Sequence, residues 1–453
     1  MQIAAPRAAL RSGLTLPAAA DVHGILDRHL LADGYPFVLD MKGSRPGTLR
    51  DATTGRDFVD LFTFYASSAL GMNHEGLAGD SDDAQAFRER LLDAALNKVA
   101  NSDVYTPHMA RFVDTFSRVG IPAHLPHAFF VDGGALAVEN ALKVAFDWKV
   151  RLNARRGLGE HLGQQVLHLR EAFHGRSGYT MSLTNTDPNK TARFPQFDWP
   201  RIDTPKVHTD GPVEAREAAA VAQAEAFFLA RKNDIAAIIV EPIQAEGGDN
   251  HLRPQFLQEL RRLADENDAL LVFDEVQTGV GLTGTFWAYQ GLGVVPDVVA
   301  FGKKTQVCGI LAGPRVDEVE ENVFSQSSRI NSTWGGNLVD MVRFDRILEV
   351  IEADDLVGNA WRTGGHLLAG LEGLADRFEG VTSPRGRGLM CAFDLPDTAA
   401  RNAMIAQAYS LGAIVLGCGT RTIRFRPALC ATPAQIDEGL AIVEQALTDT
   451  LHA

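Results

Sequence analysis

Two wholly apolar runs, Ala236-Ala-Ile-Ile-Val240 and Ala269-Leu-Leu-Val-Phe273, flank a segment with helical periodicity, Arg253 to Asn267. A strand that is apolar at every position has no face to give to water, so it must be covered on both sides. That requirement predicts a mostly parallel sheet between two layers of helices. His127 to Val131, Gln165 to Leu169 and Val298 to Phe301 read as further strands, and Ala137 to Arg151 as a helix. In open α/β sheets ligands bind beyond the carboxyl ends of the strands. Those ends are therefore the first place to look for chemistry.

The pattern changes near Asn337. Two helices, Asn337 to Glu352 and Ala360 to Phe378, precede short strands at Met390 to Leu395, Ile414 to Leu416 and Thr422 to Phe425. A last helix covers Pro433 to Leu451. The N-terminal stretch reads as a short helix, Val22 to Leu31, then strands and turns punctuated by Gly34, Pro36, Gly43, Pro46, Gly47 and Gly55. The expected fold class is α/β. Residues 76–336 form a large domain with a mostly parallel sheet, and residues 337–453 form a smaller C-terminal α/β domain that the segment 1–75 joins.

Composition narrows the function classes. With 43 basic and 57 acidic residues the net charge is −14, which argues against nucleic acid or an anionic membrane as partner. The four cysteines, Cys308, Cys391, Cys418 and Cys430, form no CxxC pair and no Cys/His cluster with zinc spacing, so no metal site is expected. They read as thiols in a reducing cytoplasm. Met1 to Ala20 is interrupted by Pro6, Arg7, Arg11, Ser12, Gly13 and Pro17, so it does not read as a signal peptide. No apolar run reaches membrane-spanning length.

Three strand ends carry polar groups: Glu241-Pro-Ile-Gln-Ala-Glu246, Asp274-Glu-Val-Gln-Thr-Gly279 and Gly302-Lys-Lys304. A desolvated lysine becomes a nucleophilic amine able to form an imine with a carbonyl. A buried carboxylate can keep a pyridinium nitrogen protonated and make its ring an electron sink. Taken singly, such a lysine is more often a salt-bridge partner and such an aspartate a turn cap; their combination and order carry the argument.

Those motifs, with Asp132-Gly-Gly-Ala135, Phe173-His-Gly-Arg176 and Asn331-Ser-Thr-Trp-Gly-Gly-Asn337, resemble the class III aminotransferases of fold-type I, which depend on pyridoxal 5'-phosphate. The likeness runs from about Gly71 to Pro427. Within the class, Asp132 to Asn140, Ala300 to Cys308 and Asn331 to Asn337 are most similar to the lysine ε-aminotransferases.

The resemblance implies roles. Lys303, which directly follows the glycine, would carry the cofactor as a Schiff base and shuttle the proton; Lys304 is the competing candidate. Asp274 would pair with the ring nitrogen, Val276 and Phe173 would cover the two ring faces, and Gln277 would bond the ring hydroxyl. Gly134 and Ala135 would offer backbone N–H groups to the phosphate at a helix N-terminus. Ser332 and Thr333 would reach the phosphate from the second subunit of a homodimer. Arg176 would take a substrate carboxylate, with Asn331 as a further substrate contact. Glu246 and Arg424 resemble a switch: Glu246 neutralises Arg424 while L-lysine reacts and releases it when 2-oxoglutarate brings a second carboxylate. A fixed bare arginine would repel a cationic ligand, and a permanently masked one would fail the dicarboxylate. Where the class usually shows Ser-Gly-x-Glu-Ala, this chain has Gly133-Gly-Ala-Leu-Ala137, which leaves backbone donors but no side-chain contact from positions 133 and 136.

Other motifs fall away. Gly279-Val-Gly-Leu-Thr-Gly284 matches a dinucleotide fingerprint but has no acid about twenty residues on; position 304 is lysine. Gly302-Lys-Lys-Thr305 resembles the end of a P-loop, yet the required first glycine falls on Asp297. His174 reads as a structural histidine, and Trp334 as either a pocket or an interface residue. Rival functions are transamination of ornithine, 4-aminobutyrate or another ω-amine, an aminomutase or decarboxylase on the same cofactor, and a silent binding protein on the same fold.

Overall fold

The structure is a computed structural model and describes residues 15–209 and 211–451. The reading of the first twenty residues as lacking a leader falls mostly on residues 1–14, outside the described residues. Among the described residues no helix is long and apolar enough to cross a membrane.

Among the described residues seven strands form the central sheet: β1 (His127–Val131), β2 (Gln165–Leu169), β3 (Arg201–Ile202), β4 (Ile235–Val240), β5 (Leu270–Asp274), β6 (Val298–Phe301) and β7 (Cys308–Ala312). Their order is β1-β7-β6-β5-β4-β2-β3. Only β7 runs antiparallel to its neighbours. Alternate side chains supply two cores, as the pleat requires. Leu271 and Phe273 of β5 join Phe112, Phe116, Phe256 and Trp287 on one face. Leu270 and Val272 join Ala137, Val138, Ala141 and Trp148 on the other. The last four belong to α1 (Gly134–Arg155), which is separated from the end of β1 by Asp132 and Gly133.

A four-stranded antiparallel sheet is built from Thr382–Arg387, Met390–Asp394, Thr422–Phe425 and Leu416–Cys418. The helices Leu356–Arg377, Thr398–Leu411 and Pro433–Leu451 share a third core with it. Within Thr422–Phe425, Ile423 and Phe425 enter that core, so Arg424 must face the other way. Near the N-terminus, Thr48–Arg50 pairs with Asp57–Asp60, which pairs in turn with Ala413–Ile414.

The strand over Thr422–Phe425 and the final helix over Pro433–Leu451 have the bounds read from the sequence. The expected helix from Val22 to Leu31 is shorter, Val22–Leu26. None of its residues is buried, and an isolated short helix without a packing surface is marginal. Strand β7 was not legible because glycine interrupts it; a Cβ at Gly309 would lie 2.2 Å from the Phe129 carbonyl oxygen, so the close pairing with β1 demands that glycine.

One local feature was invisible in the sequence. Thr63 to Ala66 are four consecutive non-glycine residues with φ between 38° and 63°. A left-handed turn costs roughly 1–2 kcal/mol per L-residue, so the surroundings must hold it. Asp60 Oδ1 accepts the Phe62 and Thr63 N–H groups at 3.0 and 2.7 Å. Thr63 Oγ1 donates to the Arg426 carbonyl at 2.7 Å, and Lys304 Nζ donates to the Ala66 carbonyl at 3.2 Å.

Candidate active site

The carboxyl ends of β1, β4, β5 and β6 open on a cavity of about 470 Å³. Gly134, Ala135, Phe173, Arg176, Glu246, Asp274, Val276, Gln277 and Lys303 all line it, so nine positions read from the sequence meet in one place. Register explains part of this. Parallel pairing sets Ala300 of β6 beside Asp274 of β5, and the chain then leaves β6 through Gly302 to deliver Lys303. A Cβ at Gly302 would lie 3.0 Å from Cys308 Sγ, and one at Gly134 would lie 2.9 Å from Val276 Cγ1. Glycine at these two points lets three strand ends converge.

The structure separates the paired candidates. Lys304 is buried and turns away; its Nζ donates to the carbonyls of Gln277, at 2.7 Å, and Ala66. Lys303 lines the cavity with φ of 55°, a strained conformation of the kind stored at functional sites. Burial first, and the nearby Arg424 guanidinium second, pull the Lys303 ammonium below its ordinary range, which raises the fraction of free amine. Of the neighbouring acids, Glu275 is committed to structure: it accepts the Ala288 and Tyr289 N–H groups, both at 2.9 Å, and the Thr278 hydroxyl. Asp274 faces the cavity. Its Oδ1 accepts the Val276 N–H at 3.0 Å, and its Oδ2 lies 2.8 Å from His174 Nδ1.

That contact shows what the sequence reading missed about His174. It is buried, it lines the cavity and it orients Asp274; its Nε2 has no hydrogen-bond partner among the described residues. The motif that contains Glu241 gives it no role of its own in the sequence. Its carboxylate accepts the Phe173 and Ala245 N–H groups at 2.9 and 3.2 Å and so fixes the segment that carries Phe173. Burial pushes the Glu241 carboxyl up to about 7. Gln277 Oε1 accepts Arg426 Nε at 3.0 Å, and Arg426 is itself paired with the buried Asp249. The amide is thereby oriented with its NH₂ left to donate.

Arg424 Nη2 bonds Glu246 Oε2 at 2.7 Å. The side chain is 1 % exposed, and its Nε and Nη1 have no hydrogen-bond partner among the described residues. Tyr65, delivered by the left-handed turn, lines the cavity with its ring centroid 5.8 Å from the Arg424 guanidinium carbon. Lys190 adds a second cation, 2.6 Å from Glu246 Oε1. Tyr65 and Lys190 carry no local signal, because each acquires its place only when distant segments pack. Asn331, Ser332 and Thr333 do not line this cavity; they lie in the segment before the helix Leu338–Ala353, with Asn331 and Thr333 exposed and the Thr333 carbonyl accepting from Ser102 Oγ at 3.1 Å.

The sequence pattern of the class-III aminotransferases matches residues 32–447. The chain is a class III aminotransferase. It is 60% identical over 431 residues to the L-lysine-epsilon aminotransferase of Mycobacterium tuberculosis (strain ATCC 25618 / H37Rv), covering 94% of this chain and 95% of the relative. It is 54% identical over 441 residues to that of Amycolatopsis lactamdurans, covering 95% and 96%. The lysine aminotransferase from M. tuberculosis, solved in its internal aldimine form, superposes with a TM-score of 0.94 at 58% identity, covering 96% of this chain and 100% of that one. The likeness establishes a fold-type I transferase.

The cofactor of this aminotransferase is pyridoxal 5'-phosphate, and the residues present fit it. No side chain caps α1, whose N-terminal Gly134 and Ala135 border the cavity, so its first-turn N–H groups are placed to take a phosphate. A buried carboxylate, an oriented amide donor and a depressed lysine complete the donor set. Among the described residues no cluster of His, Cys, Asp and Glu is arranged to hold a metal ion.

Proposed function

We propose that this aminotransferase moves the ε-amino group of L-lysine to 2-oxoglutarate, giving 2-aminoadipate 6-semialdehyde and L-glutamate in two half-reactions at one site. The observation that carries this reading is the Glu246–Arg424 pair: Glu246 lines the cavity and covers a buried cation behind it. It suits a pocket that meets one carboxylate and then two. The names of the relatives at 54–60% identity supply the amine.

The bound cofactor supplies an aldehyde for imine formation and a ring that takes up electrons. Lys303 would hold it and would move the proton at the reacting carbon; burial, which pulls its ammonium below the ordinary range, favours the free amine that this requires. Asp274, held by His174 and the Val276 N–H, keeps the ring nitrogen protonated. Val276 and Phe173 confine the ring, and Gln277 donates to its hydroxyl. Gly134 and Ala135 bind the phosphate through the backbone. Arg176, exposed at the cavity edge, binds a substrate carboxylate.

Asn331, Ser332 and Thr333 act across the interface of a homodimer. Their separation from this subunit's cavity supports that role. The four cysteines are free, which agrees with a cytoplasmic location. Substrate profiling tests the reading. L-Lysine should give the highest kcat/KM among lysine, ornithine and 4-aminobutyrate, with turnover strictly dependent on an added 2-oxo acid. A higher value for either rival amine overturns the substrate assignment. Turnover without a 2-oxo acid overturns transamination.

A further inference from the structure

Glu246 lines two cavities at once. On its inner side is the active-site cavity; on its outer side is a cleft of about 680 Å³ bordered by Lys190, Lys206, Thr398, Arg401 and Gly419. The Glu246 backbone is tied down, its carbonyl accepting the Gly419 N–H at 3.0 Å. The side chain is held by two cations on opposite oxygens: Arg424 at 2.7 Å from Oε2 and Lys190 at 2.6 Å from Oε1. The other cations of the cleft are committed elsewhere. Lys206 Nζ lies 2.6 Å from Glu171, and Arg401 Nη1 donates to the Gly419 carbonyl at 2.6 Å. Lys190 is fixed by a short helix, Pro188–Thr191, whose cap Asp187 accepts the Asn189 N–H at 2.9 Å, and its Nζ lies 5.3 Å from the Phe173 ring centroid.

Resting on the switch reading given above, we propose that Lys190 is the second seat of the switch: it holds the Glu246 carboxylate on the outer side when Arg424 turns to a ligand carboxylate. The physical case is one of redundancy. While Arg424 and Glu246 are paired, the acid is already neutralised and Lys190 contributes little more. Once Arg424 is taken by the dicarboxylate, Lys190 is the remaining cationic partner of a partly buried acid. Its contribution therefore falls mainly on the dicarboxylate-bound state, and it sets how readily that state is reached. Lys190 acts through Glu246 and is a positioning residue.

The test uses the cofactor-loaded enzyme, glutarate as an unreactive dicarboxylate and single turnovers of each half-reaction. Lys190→Met should weaken glutarate binding, measured by calorimetry, by about tenfold, the scale of one charge-assisted hydrogen bond. The 2-oxoglutarate half should fall by a similar factor and the lysine half by several-fold less. Lys190→Arg should restore both readings. In a Glu246→Ala background, Lys190→Met should have no further effect, because there is no acid left to seat. Equal loss in both halves, no loss, or the same loss without Glu246 overturns the role of Lys190. Glu246→Ala alone should weaken the lysine half while sparing glutarate binding. If it does not separate the two, the switch itself falls and the second seat with it; if it does and Lys190→Met does not, only the second seat falls.

Discussion

Replacing Arg424 by methionine keeps an unbranched apolar stem in a fully buried position while removing the guanidinium. The switch proposed above implies a different loss in each half-reaction. In the amine half, Arg424 is engaged with Glu246, and its removal leaves Glu246 still bonded to Lys190 at 2.6 Å. No buried charge is orphaned, and two unpartnered buried nitrogens, Nε and Nη1, disappear. The cost to folding and to the lysine half should therefore stay below about one charge-assisted hydrogen bond, ~1.5 kcal/mol or roughly tenfold in rate. In the other half, a ligand carboxylate gripped by two guanidinium nitrogens loses both bonds. At about 1.5–3 kcal/mol each, the loss is about 3–6 kcal/mol, or roughly 10²- to 10⁴-fold in kcat/KM. The assay is single-turnover absorbance on the cofactor-loaded enzyme, amine half and 2-oxoglutarate half measured separately, with a melting curve as the folding control. Equal losses in the two halves, with the fold intact, would refute the reasoning.

Other outcomes follow from the same geometry. Borohydride reduction and peptide mapping should place the cofactor on Lys303, and Lys303→Ala should abolish both tag and turnover. Lys304→Met should leave the tag on Lys303 but lower stability by about 2–4 kcal/mol, because the buried Ala66 carbonyl and the partly buried Gln277 carbonyl lose their donor. Burial raises the Asp60 carboxyl from 3.8 to about 6. The folded state thus binds the extra proton, and wild-type stability falls as pH rises between those values and is level above. Asp60→Asn keeps an acceptor for Phe62 and Thr63, so its stability relative to wild type should climb from about pH 4 to about pH 6 and then plateau; a difference that is flat across this window in melting temperatures would contradict the shift. Finally, if Thr333 serves the partner's site, Lys303→Ala and a disabling Thr333 variant should complement in mixed dimers, since one of the two sites then carries neither lesion. Absence of recovery in chromatographically verified heterodimers would count against the shared site.

Much of the architecture was legible because burial writes itself locally. A run such as Ile235–Val240, buried at every position, needs no knowledge of its neighbours to be read as a central strand. The acid and lysines at the ends of β5 and β6 were legible for the same reason: a polar residue directly after an apolar run marks the strand's exit. Their roles came from the resemblance, as did the pairing of Glu246 with Arg424 across 178 positions of chain.

What the packed chain alone decided are pairings that no periodicity encodes. His174 orients Asp274 from 100 residues away, and Arg426 orients Gln277 from 149. Carbonyls at positions 66 and 277 occupy Lys304 and leave Lys303 to the cavity, a difference that only the packed chain creates. The left-handed turn that delivers Tyr65 is opposed by the intrinsic preference of every residue in it and persists through bonds to Asp60, Lys304 and the Arg426 carbonyl. Local sequence therefore settles which residues are buried and where strands end, since each depends on side-chain character over a few positions. Which buried polar groups face one another depends on how separate layers dock, and that is a property of the whole fold.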